Sequence, residues 1–304
     1  EISGMRSTVM RSARRTSRIS EGPYKEALIS VDDDWADPEV WQIIKRESDP
    51  YTLGYYLNAL DLTYNAAGEI VSQPENRQIY VQLFIRTLWM SGLITVLTLL
   101  LGYPVAYLLA NLPLRISNLL MILVLLPFWT SLLVRTTTWI AMLQSQGVLN
   151  DLLVWANLIG NDSRLQMIHN KIGTVVAMTH ILLPFMILPL YSVMKTIDLS
   201  YVRAALSMGA TPWTTFWKVY FPQTTSGIGA GGILVFILSI GYYITPALVG
   251  GTSGRFITNF IAYHMQVSLN WGLAAAIGAI LLGLVLALYM IYARIVGVEG
   301  IKLG

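Results

Sequence analysis

The chain has 304 residues, 55% of them hydrophobic and only 12% charged, where soluble proteins carry about a quarter charged residues; too little polar surface remains for a water-soluble globule. The net charge of +3 is small and the basic residues are scattered through apolar runs, which argues against a nucleic-acid surface. Cysteine is absent, which removes disulfides, thiolate nucleophiles and thiolate metal sites together.

Charge is unevenly placed along the chain. Thirteen of the seventeen acidic residues precede Thr87, and only Asp151, Asp162, Asp198 and Glu299 follow it. Residues 1–86 therefore read as a polar extramembrane segment, and residues 87–304 as a membrane body. The arginines Arg6, Arg11, Arg14, Arg15 and Arg18 argue for a cytoplasmic amino terminus.

A helix needs about 20 apolar residues to cross a hydrocarbon core about 30 Å thick. Five stretches qualify: Thr87 to Ala110, without charge; Asn118 to Leu143, with only Arg135; Ile172 to Met194, with only His180 ionisable; Ile228 to Val249; and Gly272 to Ala293. Pro104, Pro127, Pro184, Pro189 and Pro246 fall within them. Each removes a backbone donor and bends a helix. Repeated bends suit a protein that surrounds a cavity, although proline is also commoner in membrane helices in general. Gly227, Gly229, Ala230, Gly231 and Gly232 at the start of the fourth span allow close helix contact. The run is no phosphate loop, since no glycine-lysine pair occurs anywhere in the chain.

Loop charge does not set the orientation. Arg115, Lys195, Arg203, Lys218, Arg294 and Lys302 fall on one side, and Arg77, Arg86, Arg164, Lys171 and Arg255 near the other. The long third connection, Tyr201 to Ile228, is more informative. It is too polar for lipid and reads as two short helices with a break. Gly209 terminates the first, Thr211 caps the second and Pro212 takes its first position. Trp213, Phe216, Trp217 and Tyr220 then recur at spacings of three and four, predicting a shared face, and Pro222 is expected to end the helix. An interfacial amphipathic hairpin with no partner is the simpler alternative.

This segment resembles the permease subunits of binding-protein-dependent ABC importers, whose motif begins Glu-Ala-Ala, has a glycine six residues after the glutamate, and continues to a hydrophobic residue, a proline and a glycine. Ala204, Ala205, Gly209, Ala210, Phe216, Pro222, Gly227 and Ile228 match it. Arg203 stands at the glutamate position. The resemblance implies an all-α integral membrane protein with the type I ABC importer transmembrane fold, a cytoplasmic coupling loop over residues 195–227, and ATPase-coupling residues Arg203, Ala204, Ala205, Ser207, Gly209, Ala210, Thr211 and Pro212. Leu125 to Asn150, His180 to Asp198 and Asn270 to Leu282 resemble spermidine/putrescine-type permeases, nearer the first of the two permeases in such systems.

From the same resemblance follow import of a polyamine-like solute, a multi-pass bacterial inner-membrane location, and partners comprising an ATPase dimer, a second permease and an extracytoplasmic solute-binding protein, besides membrane lipid. The chain itself would hold no cofactor, because ATP and Mg would bind the partner ATPase, so it would not be an enzyme. The family arginine discrepancy has three readings: Arg203 meets an acidic partner, the sister subunit supplies the usual charge, or Arg203 is solvated.

If the coupling loop is cytoplasmic, five spans place residues 1–86 outside, which requires an upstream hydrophobic segment. A sixth span ahead of the given chain is therefore expected; re-entry of Trp35 to Leu62 is the alternative, made costly by its acids. The acidic run Asp32, Asp33, Asp34, Asp37 and Glu39 then recruits the binding protein or is a solvated face.

For the solute path the candidates are Arg135, Trp129, His180, Tyr242 and Tyr243. An intramembrane arginine costs several kcal/mol unless it snorkels or faces water, so Arg135 lines the route or reaches the interface. His180 is a packing residue or a gate. Trp129, Trp139, Tyr242, Tyr243, Tyr263 and Trp271 have faces that attract a cationic amine, although aromatic residues near span ends also serve as interface anchors. No Asp or Glu occurs inside any span, which leaves selectivity to the external binding protein. Three widely spaced histidines and no paired membrane carboxylates assemble no metal-hydrolase or acid-base site. An ion-coupled secondary transporter is the competing class, disfavoured by the missing carboxylates; a membrane assembly factor is the third.

Overall fold

The computed structural model describes residues 5–16, 24–48, 51–65 and 67–296. Arg18, Glu299 and Lys302, weighed above, lie outside them. The chain divides into two units, residues 1–79 and 80–304.

The first unit carries α1 (Met5–Thr16), α2 (Tyr24–Val31), α3 (Pro38–Glu47), α4 (Gly54–Asn58) and an antiparallel hairpin of β1 (Leu62–Tyr64) and β2 (Ile70–Ser72), with Thr63 opposite Val71. The acidic run has internal work to do. Asp32 pairs with Arg11 at 2.8 Å, Asp34 accepts from the Thr8 hydroxyl at 2.7 Å, and Asp37 caps α3, where Pro38 takes the first turn. Buried Trp35 donates its indole N–H to Ser12 at 2.7 Å.

The second unit opens with α5 (Tyr80–Asn111), seven residues ahead of the expected Thr87 start. At about 1.5 Å per residue its 32 residues reach roughly 48 Å, more than the hydrocarbon core needs. Next come α6 (Leu114–Leu125), α7 (Leu132–Leu143), α8 (Val148–Trp155) and α9 (Lys171–Thr196). The third connection holds α10 (Leu199–Ser207), α11 (Pro212–Thr215) and α12 (Phe221–Gln223); α13 (Thr225–Gly241), α14 (Ile244–Val249), α15 (Ile257–Gln266) and α16 (Trp271–Val296) follow. Among the described residues α5, α9 and α16 are each long and apolar enough to cross a membrane unbroken.

Two of the five expected spans are instead interrupted. The Asn118 to Leu143 stretch tightens into a 3-10 turn, Leu126–Trp129, and breaks after it, so that Leu114–Trp129 and Leu132–Trp155 meet at 96°. Pro127 cannot donate to the carbonyl four residues back, Thr130 is extended, and the Ser131 hydroxyl accepts the Val134 N–H at 3.2 Å to restart the helix. The Ile228 to Val249 stretch likewise stops at Gly241 and resumes as α14. Pro246 lacks the N–H that would have bonded the Tyr242 carbonyl. The Thr258 hydroxyl at 2.8 Å satisfies that carbonyl, and Asn259 Nδ2 donates to the Tyr243 carbonyl at 2.6 Å. Pro104, Pro184 and Pro189 sit inside continuous helices, so proline alone does not mark the breaks.

The core forms around α9, which packs between α5 and α13 and buries Met178, Leu182, Met186 and Leu190 completely. Gly227 and Gly231, four apart, face it. A Cβ on Gly231 would stand 2.8 Å from Met186 Sδ, and one on Gly227 would stand 3.2 Å from the Pro189 carbonyl oxygen. From α5, Gly102 meets Met186 in the same layer. Small residues thus let three backbones approach without relying on apolar exclusion from water, which lipid does not supply. Gly229 turns the other way, under the Tyr292 hydroxyl of α16.

Candidate functional site

The third connection builds a helical hairpin from local rules. Asp198 caps α10 by accepting the Ser200 N–H at 2.8 Å; this bond, with help from the Ser200 hydroxyl and the Arg203 charge, holds its carboxyl below the usual carboxylate range. At the other end Gly209 adopts φ +87° and the Ala210 N–H reaches back to the Ala205 carbonyl at 3.1 Å, a six-to-one closure that satisfies a free helix-end carbonyl. Thr211 then accepts the Thr214 N–H at 3.3 Å and Pro212 starts α11. Gly209, Thr211 and Pro212 thus take the positions expected of them.

The hairpin presents an apolar outer surface. Met208 is 82% exposed and Tyr201 59%, with Leu199 and Leu206 also open. Arg203, Ala204 and Ser207 are exposed, while Ala205 is buried beneath.

Below it the expected single aromatic face divides. Trp213 is 72% exposed and Trp217 also faces out, whereas Tyr220 is 3% exposed and Phe216 half-buried. Phe216–Tyr220 forms a π turn, whose wider pitch separates the two rows. Nor does Pro222 end the helix. The widened turn relieves the proline ring of its clash with the carbonyl four residues back, helical backbone runs on to Gln223, and the 59° bend comes at buried Thr224.

Phe216 and Tyr220 dock on α5. Tyr107 meets Phe216 at 6.2 Å and Tyr220 at 5.3 Å, edge-on in both cases, and the Tyr103 hydroxyl is 3.2 Å from that of Thr224. Lys195 adds a bond to the Ala110 carbonyl at 3.0 Å, at the carboxyl end of α5, where the helix dipole favours a cation. Edge-on aromatic pairs contribute about 0.5–1.5 kcal/mol each beyond burial, so these contacts tie the hairpin to α5. Sequence reasoning missed Tyr103 and Tyr107. Their spacing of four near the end of an otherwise aliphatic span was the available signal.

Within the spans, the structure brings together three of the five path candidates. Arg135 lies near both the His180 and the Tyr242 rings. Trp139 donates to His180 Nδ1 at 3.2 Å, and the buried hydroxyls of Thr136 and Thr245 meet at 3.1 Å, tying α7 to α14. Arg135 Nε and Nη1 are buried with no acceptor among the described residues. Trp129 stays apart, 90% exposed on the 3-10 turn. Tyr243 instead lines a cavity of about 310 Å³ with Tyr263, Arg255 and Asn259.

Residues 99–297 match the family described as binding-protein-dependent transport system inner membrane component. The chain is 33% identical over 216 residues to the spermidine/putrescine transport system permease protein PotB of Haemophilus influenzae, covering 71% of this chain and 75% of that protein. It is 33% identical over 214 residues to PotB of Escherichia coli, covering 69% and 77%. The inner membrane ABC transporter permease protein YdcU of Escherichia coli is 29% identical over 228 residues, 71% of each chain. Among solved structures, a bacterial ABC transporter involved in import of the acidic polysaccharide alginate superposes with a TM-score of 0.60 at 16% identity, covering 96% of this chain and 99% of that one, a likeness of fold. A family match across the helical hairpin, α9, α13 and α16 makes this chain a transport component rather than an enzyme: it belongs to the inner-membrane permease family of binding-protein-dependent transport systems.

Proposed function

We propose that the chain forms the translocation path of an ABC importer for a polyamine-like solute, delivered by an extracytoplasmic binding protein. A separate ATPase dimer, which binds the ATP and Mg, drives it, and a second permease completes the path. The observation that carries this is the hairpin: an exposed apolar knob closed by Gly209, joined through Phe216 and Tyr220 to α5. Closure of the ATPase dimer pushes the knob, and the aromatic contact passes the displacement to the membrane helices as a rigid-body rotation. The relatives named for spermidine and putrescine support the solute class. With no carboxylate in the spans, the binding protein sets selectivity.

Deleting Ser207 to Ala210 tests the reading. Transport of radiolabelled spermidine into vesicles and co-purification of the ATPase should fall together; undiminished ATPase association would refute it. Arg203 is exposed at the docking face. Arg203→Glu strengthens ATPase association if the facing group is cationic and weakens it if that group is acidic.

A further inference from the structure

A guanidinium inside a membrane body needs a counter-charge or water, because an unpaired charge there costs several kcal/mol. Depth can be read from His180, which lies nine residues into α9, about 14 Å along its axis at roughly 1.5 Å per residue. Trp139 reaches that ring from α7, one turn beyond Arg135, so the arginine stands at comparable depth. Arg135 is half-buried, with Nε and Nη1 enclosed and unpaired. Its neighbours among the described residues offer no acid: they are His180 and Tyr242, while Thr136 and Thr245 bond each other.

Few molecules reach a group so placed. A binding protein outside and an ATPase at the far end both stop at the membrane surface, and lipid phosphates lie there too. A polycationic solute accepts nothing from a guanidinium and is repelled by it. We propose that the open edge of Arg135 pairs with a carboxylate supplied by the second permease, so that one ion pair at the subunit boundary fixes the register of the two permeases and neutralises the path for cations. The inference rests on the permease reading above and names a contact within it.

The complex of this chain with its second permease and ATPase, purified through a tag on this chain, provides the test. Arg135→Gln and Arg135→Glu are expected to reduce recovered second permease about tenfold or more, as leaving one member of a desolvated pair unmatched does, while Arg135→Lys retains most of it. Converting each Asp or Glu in the spans of the second permease to Arg, one at a time, should restore assembly of Arg135→Glu at one position. Full recovery of the second permease with Arg135→Gln, or no rescuing position, overturns the proposal. An Arg135→Gln complex that assembles normally but takes up spermidine differently would place the arginine against the solute and overturn it too. Should the unaltered chain recover neither partner, the permease reading itself fails.

Discussion

Gly209 offers a perturbation whose cost can be worked from the backbone alone. Its φ of +87° lies in the left-handed region, and a Cβ built there meets nothing within 4 Å. Steric clash is therefore removed from the problem, leaving the conformational cost of about 1–2 kcal/mol that a residue with a side chain bears in that region. Alanine stands near the lower figure, and a β-branched valine, stiffer at its first torsion, near or beyond the upper. Such penalties change an equilibrium about five- to thirtyfold. Because the turn holds Met208 and Tyr201 in the orientation the ATPase would meet, the affinity for the ATPase should fall by those factors. Titrating ATPase against the reconstituted chain, and following ATP hydrolysis stimulated by the binding protein, should rank the variants Gly209→Asn, then Gly209→Ala, then Gly209→Val, from mildest to most severe, since asparagine visits the left-handed region readily. Equal damage from Asn and Val, or none from either, would refute the reasoning.

The packing and burial of three other positions set three further outcomes. Gly231→Val should lower the thermal midpoint by overpacking against Met186, at a cost of about 1–3 kcal/mol, whereas Gly278→Ala, with nothing within 4 Å of the added Cβ, should leave it unchanged or higher. Tyr107→Ala removes ring contacts to Phe216 and Tyr220 without touching the exposed knob, so ATPase binding should persist while solute moved per ATP hydrolysed falls in proteoliposomes. His264 is buried, bonded to the Tyr80 hydroxyl and to Ser268 at 2.8 Å each, and burial lowers its pKa below the ordinary imidazole value. The unfolded chain therefore binds the proton first as pH falls, so stability should drop on acidification below about pH 6.5. A His264→Gln variant should show a shallower pH dependence of the thermal midpoint.

Much of the hairpin was legible because its chemistry is local. An αL closure, a threonine cap and a proline at the first helical position each depend on a few consecutive residues, so Gly209, Thr211 and Pro212 could be placed from spacing alone. The divided aromatic face was not legible. A 3.6-residue period predicts one stripe for Trp213, Phe216, Trp217 and Tyr220, and the π turn before Pro222 breaks that period. Arg135 was visible as an anomaly of composition, but its neighbours His180 and Tyr242 come from α9 and from the break after α13, the latter more than a hundred residues along the chain.

Composition and hydrophobic run length by themselves determined that this is a membrane protein and where its apolar segments lie, because the cost of placing polar groups in hydrocarbon is paid residue by residue. Whether a run becomes one straight helix or two depended on partners for the groups at the break, such as Thr258 for the freed Tyr242 carbonyl and Asn259 for a further bond to Tyr243 between α13 and α14. Those partners are remote in sequence, so only the packed tertiary structure could choose the break.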